Sequence, residues 1–168
     1  GLGTPALRAA IPDADRLAGV VMISPNFRLN SAVNSAILDL PGARLFVPAL
    51  IGAERSWTPR NEAHGIYWTT RYPTEALFPM AHAMRAARAA DPGAVRVPLL
   101  VLYSPDDVVI SPKAALDVAA RWGGSVALEA YPAQDGMDEE AHVIAGAIRS
   151  PGMTDAAVRR IADWAGGL

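Results

Sequence analysis

The chain has 168 residues, a length that suits one domain with a substantial core and is short for two. It is 51% apolar and 19% charged, with a net charge of −2 and a pI near 5.9, which excludes a disordered chain and offers no basic surface for nucleic acid or an anionic membrane. It has no cysteine, so disulfide and thiolate chemistry are excluded.

The three histidines, His64, His82 and His142, show no paired metal-ligand spacing. No apolar run reaches membrane-spanning length and no signal-peptide pattern opens the sequence, so no membrane span is expected and a cytoplasmic location is.

Taken in order, Gly1 to Ala10 (GLGTPALRAA) reads as a tight turn running into a helix that ends at Pro12 and its neighbouring aspartates. Leu17 to Ile23 (LAGVVMI) is an apolar run that gives way to Ser24, Pro25 and Asn26, the pattern of a buried strand followed by a polar loop. Residues 30–71 have no clear period and are rich in Pro, Gly, Trp and Asn. They are too long for a structureless loop, and are expected to be an excursion with short helices over one end of a sheet.

Thr74 is placed to cap a helix over Glu75 to Ala90, with Met80, Ala83, Met84 and Ala87 on one face. Pro79 either kinks that helix or marks its start. Arg71 suits either a substrate carboxylate or an ion pair with Glu75, and the ion pair is expected.

The rest of the chain is organised around PLLVLYSPDDVVISP, residues 98–112. Leu99 to Tyr103 suits a strand buried on both faces, as in a parallel sheet. It stops at Ser104, Pro105, Asp106 and Asp107, where open α/β sheets place their ligands. Read alone, the stretch suits an acidic turn with a capping role equally well.

Ser111 and Pro112 then open a helix to Trp122, buried through Ala115, Val118, Ala119 and Trp122 and stopped by Gly123 and Gly124. Ser125 to Tyr131 is a third strand. Pro132 to Glu140 is an acidic loop, followed by His142. Thr154 is placed to cap a last helix, Asp155 to Ala165, packing through Val158, Ile161 and Ala162. Strands alternating with helices predict an α/β fold with a parallel sheet.

One acid follows a strand, and a histidine follows the next strand 35 positions on. Right-handed crossovers put consecutive parallel strands side by side with their C-terminal ends at one edge, so Asp107 and His142 are expected to meet there. An aspartate holding an imidazole is the rear two-thirds of a nucleophilic triad.

The order and spacing of these segments resemble the C-terminal half of an α/β-hydrolase of the serine esterase and lipase branch. VPLLVLYSPDDVVISP resembles that family's strand carrying the triad acid, AHVIAGAIRSPGMT its histidine loop, and VVMISPNF the strand before its lid. The resemblance implies a three-layer α/β/α fold, with residues 1–168 one partial domain and 30–90 a lid or cap insertion. It implies a carboxylesterase or lipase-like activity on a small-molecule ester, without a cofactor and without a metal. The register S-P-x-D-x-V-V makes Asp107 the triad acid and Asp106 its exposed neighbour.

It further implies that the backbone N–H of Leu2 is an oxyanion donor and that Asn26, Trp57, Tyr67, Trp68, Phe78 and Met84 wall the substrate pocket. Each wall residue suits packing within the lid core equally well. The family's nucleophile sits in G-x-S-x-G. Here Gly3 matches the final glycine and Gly1 stands at the serine position, with no strand before it.

The nucleophile is therefore expected outside this chain, on an N-terminal segment of the same protein that pairs with the edge of Leu17–Ile23. The alternative is a non-catalytic, hydrolase-like binding module or subunit with Gly1 in place of the serine. A flavodoxin-like ligand-binding domain is a third reading.

Overall fold

Residues 17–168 are described by the computed structural model. Along them run β1 (Val20–Ile23), α1 (Ala32–Asp39), α2 (Ala43–Ile51), β2 (Glu54–Ser56), α3 (Glu62–Tyr67), β3 (Arg71–Pro73), α4 (Leu77–Ala89), β4 (Leu99–Tyr103), α5 (Pro112–Ala119), β5 (Val126–Ala130) and α6 (Thr154–Gly166). The turn and helix expected over residues 1–10, with Gly1, Leu2 and Gly3, lie outside the described residues.

The three apolar runs form one parallel sheet in the order β1-β4-β5, with Val20 opposite Leu99 and Leu99 opposite Val126. β4 is central and its first four residues are fully buried. Its side chains alternate between two cores, as the period of a strand requires. Leu100 and Leu102 pack with Ile144, Met153 and Ala157 on the α6 side. Leu99 and Val101 pack with Val20, Val95, Ala119 and Trp122 on the α5 side. The result is three layers, helix, sheet and helix, as the sequence predicts.

α5 begins as expected. Ser111 accepts the Ala114 N–H at 3.3 Å, and Pro112 takes the first helical position. After Trp122 the chain passes so close to the 93–97 segment that a Cβ on Gly123 would lie 2.1 Å from the Gly93 carbonyl oxygen, and one on Gly124 2.3 Å from that of Val97. Only glycine fits there.

Two expected caps are absent. The Thr74 hydroxyl donates to the Gly52 carbonyl at 2.6 Å, and a 3₁₀ turn over Thr74–Ala76 leads into α4. Pro79 therefore sits in the first turn of α4, where its missing N–H costs nothing. Thr154 is the first residue inside α6. Its hydroxyl accepts the Gly146 N–H at 3.0 Å and donates to the Ser150 carbonyl at 3.1 Å.

The buried stripe of α6 is also rotated from the expected one. Ala157, Ile161 and Trp164 face the core at i, i+4 and i+7, while Val158 is 59% exposed and Ala162 is exposed. Arg71 pairs with Glu54 across the antiparallel β2–β3 ribbon rather than with Glu75.

Residues 30–90 hold α1 to α4 and the ribbon, and carry a core of their own from Leu38, Ala43, Val47, Phe78, Ala81 and Met84. Among the described residues β1 pairs only with β4, and Val21 and Ile23 are 36% and 48% exposed instead of buried on both faces. No helix among the described residues is long and apolar enough to cross a membrane.

Leu102→Ala opens a cavity between β4 and α6 and is expected to cost about 2–5 kcal/mol in urea denaturation. Val158→Ala should stay within about 0.5 kcal/mol, as surface changes do. Equal losses would show that the buried face of α6 is misassigned.

Candidate active site

The parallel sheet delivers three loops to one edge. The first follows β1 at Ser24, which has a left-handed backbone (φ 42°) and donates its hydroxyl to the His142 carbonyl at 2.6 Å. The second follows β4. Ser104 accepts the Asp106 N–H at 3.2 Å, and Asp107 turns inward, 4% exposed. The third follows β5 and carries His142. The Val108 N–H donates to the Glu140 carbonyl at 3.1 Å, which joins the second loop to the third.

Asp107 is fixed by the backbone of its own turn. Its Oδ1 accepts the N–H groups of Val109 at 2.8 Å and Ile110 at 2.9 Å. This is the Asx pattern that a short acidic side chain favours. Its Oδ2 lies 2.9 Å from His142 Nδ1. A carboxylate can only accept, so the imidazole carries its proton on Nδ1 and presents Nε2 as the basic nitrogen. The His142 side chain is 29% exposed, enough to meet a ligand. The neighbouring acid takes a different direction, for Asp106 Oδ2 accepts the Ala133 N–H at 2.9 Å.

His142 is held from behind by Asp138. The side chain of Asp138 is 1% exposed, and its Oδ2 accepts the N–H groups of His142 at 3.3 Å and Val143 at 3.0 Å. Its Oδ1 accepts from Arg149. Ser150 Oγ accepts the Asp138 N–H at 2.8 Å and donates to the Val143 carbonyl. Ala141, at φ 51°, supplies the left-handed step just before His142.

Burial opposes ionisation of Asp138. The Val143 amide and then the Arg149 guanidinium outweigh it and hold the carboxyl below the usual carboxylate range.

A cavity of about 630 Å³ opens beside His142, lined among others by Trp57, His64, Trp68, Tyr72 and Arg149. Two of the expected wall residues, Trp57 and Trp68, are there. Phe78 and Met84 are buried in the core of the 30–90 excursion, because the α4 face that carries them packs on α1 and α2. Tyr67 is 75% exposed, and Asn26 does not line this cavity; its buried Oδ1 has no partner among the described residues. Leu2 lies outside the described residues.

Sequence reasoning missed Asp138, Arg149 and His64. An aspartate four residues before His142 is a weak local signal for an Asx turn, and nothing local marks the other two.

No family model matches the sequence, and no curated protein matches it. Solved structures do match. A solved chain from work on LipS and LipT, two metagenome-derived lipolytic enzymes, aligns at TM-score 0.62 and 18% identity, over 92% of this chain and 57% of that one. A soluble variant of monoglyceride lipase from Saccharomyces cerevisiae, in complex with a substrate analog, aligns at TM-score 0.61 and 9% identity, over 93% and 55%. The monoacylglycerol lipase of Paleococcus ferrophilus aligns at TM-score 0.58 and 18% identity, over 95% and 63%.

The chain has an α/β-hydrolase fold. At these identities the likeness is one of fold, and the chain spans less than two thirds of the length of each of these hydrolases.

The Asp138 carboxyl gives a pH test. A folded value below the unfolded one, near 3.8, means that its stabilisation is complete above that pH and is lost as pH falls through the folded value. In urea unfolding, Asp138→Asn should be up to about 3–5 kcal/mol less stable at pH 7, because it strips the buried Arg149 guanidinium of its hydrogen-bonded carboxylate and leaves only the looser contact to Glu140 at 3.6 Å. It should also lose less than the parent below about pH 4. An unchanged acid slope would show that Asp138 is not the group responsible.

Proposed function

We propose that this chain is part of a serine hydrolase acting on carboxylic esters, with residues 30–90 as its cap and the cavity beneath that cap as the ester site. The observation that carries the reading is the buried Asp107 carboxylate, oriented by two amides and facing the Nδ1 of a partly exposed histidine whose Nε2 is left as a base. The esterase and lipase character of the structural neighbours supports it at the level of fold.

In this reading a serine outside the chain attacks the ester carbonyl, and His142 Nε2 takes its proton. Asp107 stabilises the imidazolium, which then protonates the leaving alcohol, and water releases the acyl group by the same route. None of the four serines Ser24, Ser104, Ser111 and Ser150 is a ready substitute. Ser24 and Ser150 donate to backbone carbonyls, and Ser104 and Ser111 accept the N–H groups of their own turns. The backbone of Leu2 is the proposed oxyanion donor. The strand bearing the serine is proposed to pair with the open edge of β1.

The complete gene product should be labelled by a fluorophosphonate and should hydrolyse simple esters. His142→Ala should abolish both, Asp107→Asn should lower turnover by roughly ten-thousandfold, and Asp106→Asn should be mild. A folded protein that takes no label is instead the binding module. Damage confined to Asp106→Asn would move the acid by one position.

A further inference from the structure

We infer that Arg149 is a positioning residue that couples the seating of the cap to the orientation of His142, an inference that rests on the proposed hydrolase site. Its side chain is 7% exposed and lies between two segments with no sequence proximity. On one side it pairs with Asp138, whose other oxygen holds the His142 and Val143 amides. On the other side its Nη1 lies 3.5 Å from His64 Nδ1, on α3 of the cap. The His64 ring is itself locked. Nδ1 accepts the Arg60 N–H at 3.1 Å, and the ring meets Trp68 edge-on at 4.9 Å.

Two other links join the cap to this loop. Asn61 Nδ2 donates to the Ile148 carbonyl at 2.7 Å, and Arg60 pairs with Glu139 at 3.1 Å. The second is largely exposed and contributes little. Of the three, only Arg149 also touches the group that fixes the histidine backbone.

Stability alone does not call for this arrangement. A buried ion pair recovers its desolvation cost only with good geometry, and an apolar replacement of similar volume is often as stable. A guanidinium is suited to the task by shape. One rigid plane presents several N–H donors in fixed directions, so the guanidinium binds the Asp138 carboxylate on one edge while its other edge packs 3.5 Å from the His64 ring, whose Nδ1 already accepts the Arg60 N–H. When substrate displaces α3, the displacement reaches Asp138 through that plane, and through Asp138 the peptide that carries His142.

The test uses the complete gene product and the variants Arg149→Met, Arg149→Lys and His64→Leu, with two readouts. In steady-state hydrolysis of a short p-nitrophenyl ester, Arg149→Met should lower kcat on the order of 10–100-fold, by analogy with the loss of outer-shell partners that orient metal-bound histidines. KM should change by a smaller factor than kcat, even though Arg149 also lines the cavity, because its side chain is 7% exposed and bound to Asp138, and Arg149→Lys should recover most of the loss.

In amide hydrogen exchange, Arg149→Met should weaken protection at His142 and Val143 together with residues 61–68, leaving β4 unchanged. His64→Leu should do the same from the cap side. Should Arg149→Met not fold, His64→Leu carries both readouts, with kcat expected to fall in the same way. A folded Arg149→Met or His64→Leu with parental kcat, or with protection lost on one side only, overturns the inference. If the parent hydrolyses no ester, the hydrolase reading fails, and the exchange data alone decide whether Arg149 couples cap and histidine.

Discussion

The structure depends on the burial of β4 on both faces and its pairing on both edges. Each of its fully buried leucines gains about 1.5–3 kcal/mol over an exposed one, and none of its backbone groups can be left without a partner. Parallel neighbours satisfy those groups, and parallel strands end at the same edge. The three loops that follow β1, β4 and β5 therefore converge without any further instruction. The hydrogen bonds from Ser24 to the His142 carbonyl and from Val108 to the Glu140 carbonyl are consequences of that convergence, and they stiffen it.

Two buried carboxylates at that edge are treated differently, and the difference separates their roles. Asp138 meets backbone amides and a guanidinium, so its charge is neutralised within the fold. Asp107 meets backbone amides and an imidazole, with no arginine or lysine against it among the described residues. Amides orient a charge without cancelling it. Asp107 thus faces the His142 ring with no competing side-chain cation, the arrangement that the proposed triad calls for. Asp138 holds the backbone from which that imidazole projects.

What was legible in the sequence was local or enforced by topology. The run from Leu99 to Tyr103 and the Ser111 cap are each decided within a few residues, whereas the glycines after Trp122 read as a helix stop but are required by the close approach of the 93–97 segment. The meeting of Asp107 with His142 follows from crossover geometry. The caps assigned to Thr74 and Thr154 failed because a hydroxyl before a helical pattern does not reveal where it donates. Thr74 found the Gly52 carbonyl, and Thr154 the loop that ends at Ser150. The α6 face was half right for a related reason: Ile161 does face the core, but Val158 and Ala162 are as apolar as Ala157, and only the sheet decides between them. Arg149 and His64 are separated by 85 positions and meet through packing alone, so no spacing rule reports them.

The distinction between Asp106 and Asp107 shows how finely a turn can divide labour. Consecutive residues after a strand point to opposite sides, and the turn opened by Ser104 preserves that alternation. Asp106 is left outside, where it accepts the amide of Ala133 just beyond β5. Asp107 is turned inside, where the amides of Val109 and Ile110 are already aimed at one oxygen, and only the second oxygen is left for a side chain. A slip of one residue would place a carboxylate with no amide support against the imidazole, and an unsupported buried charge would take up a proton or recruit water. The pair of amides, more than the identity of the acid, is what makes this position serve a histidine.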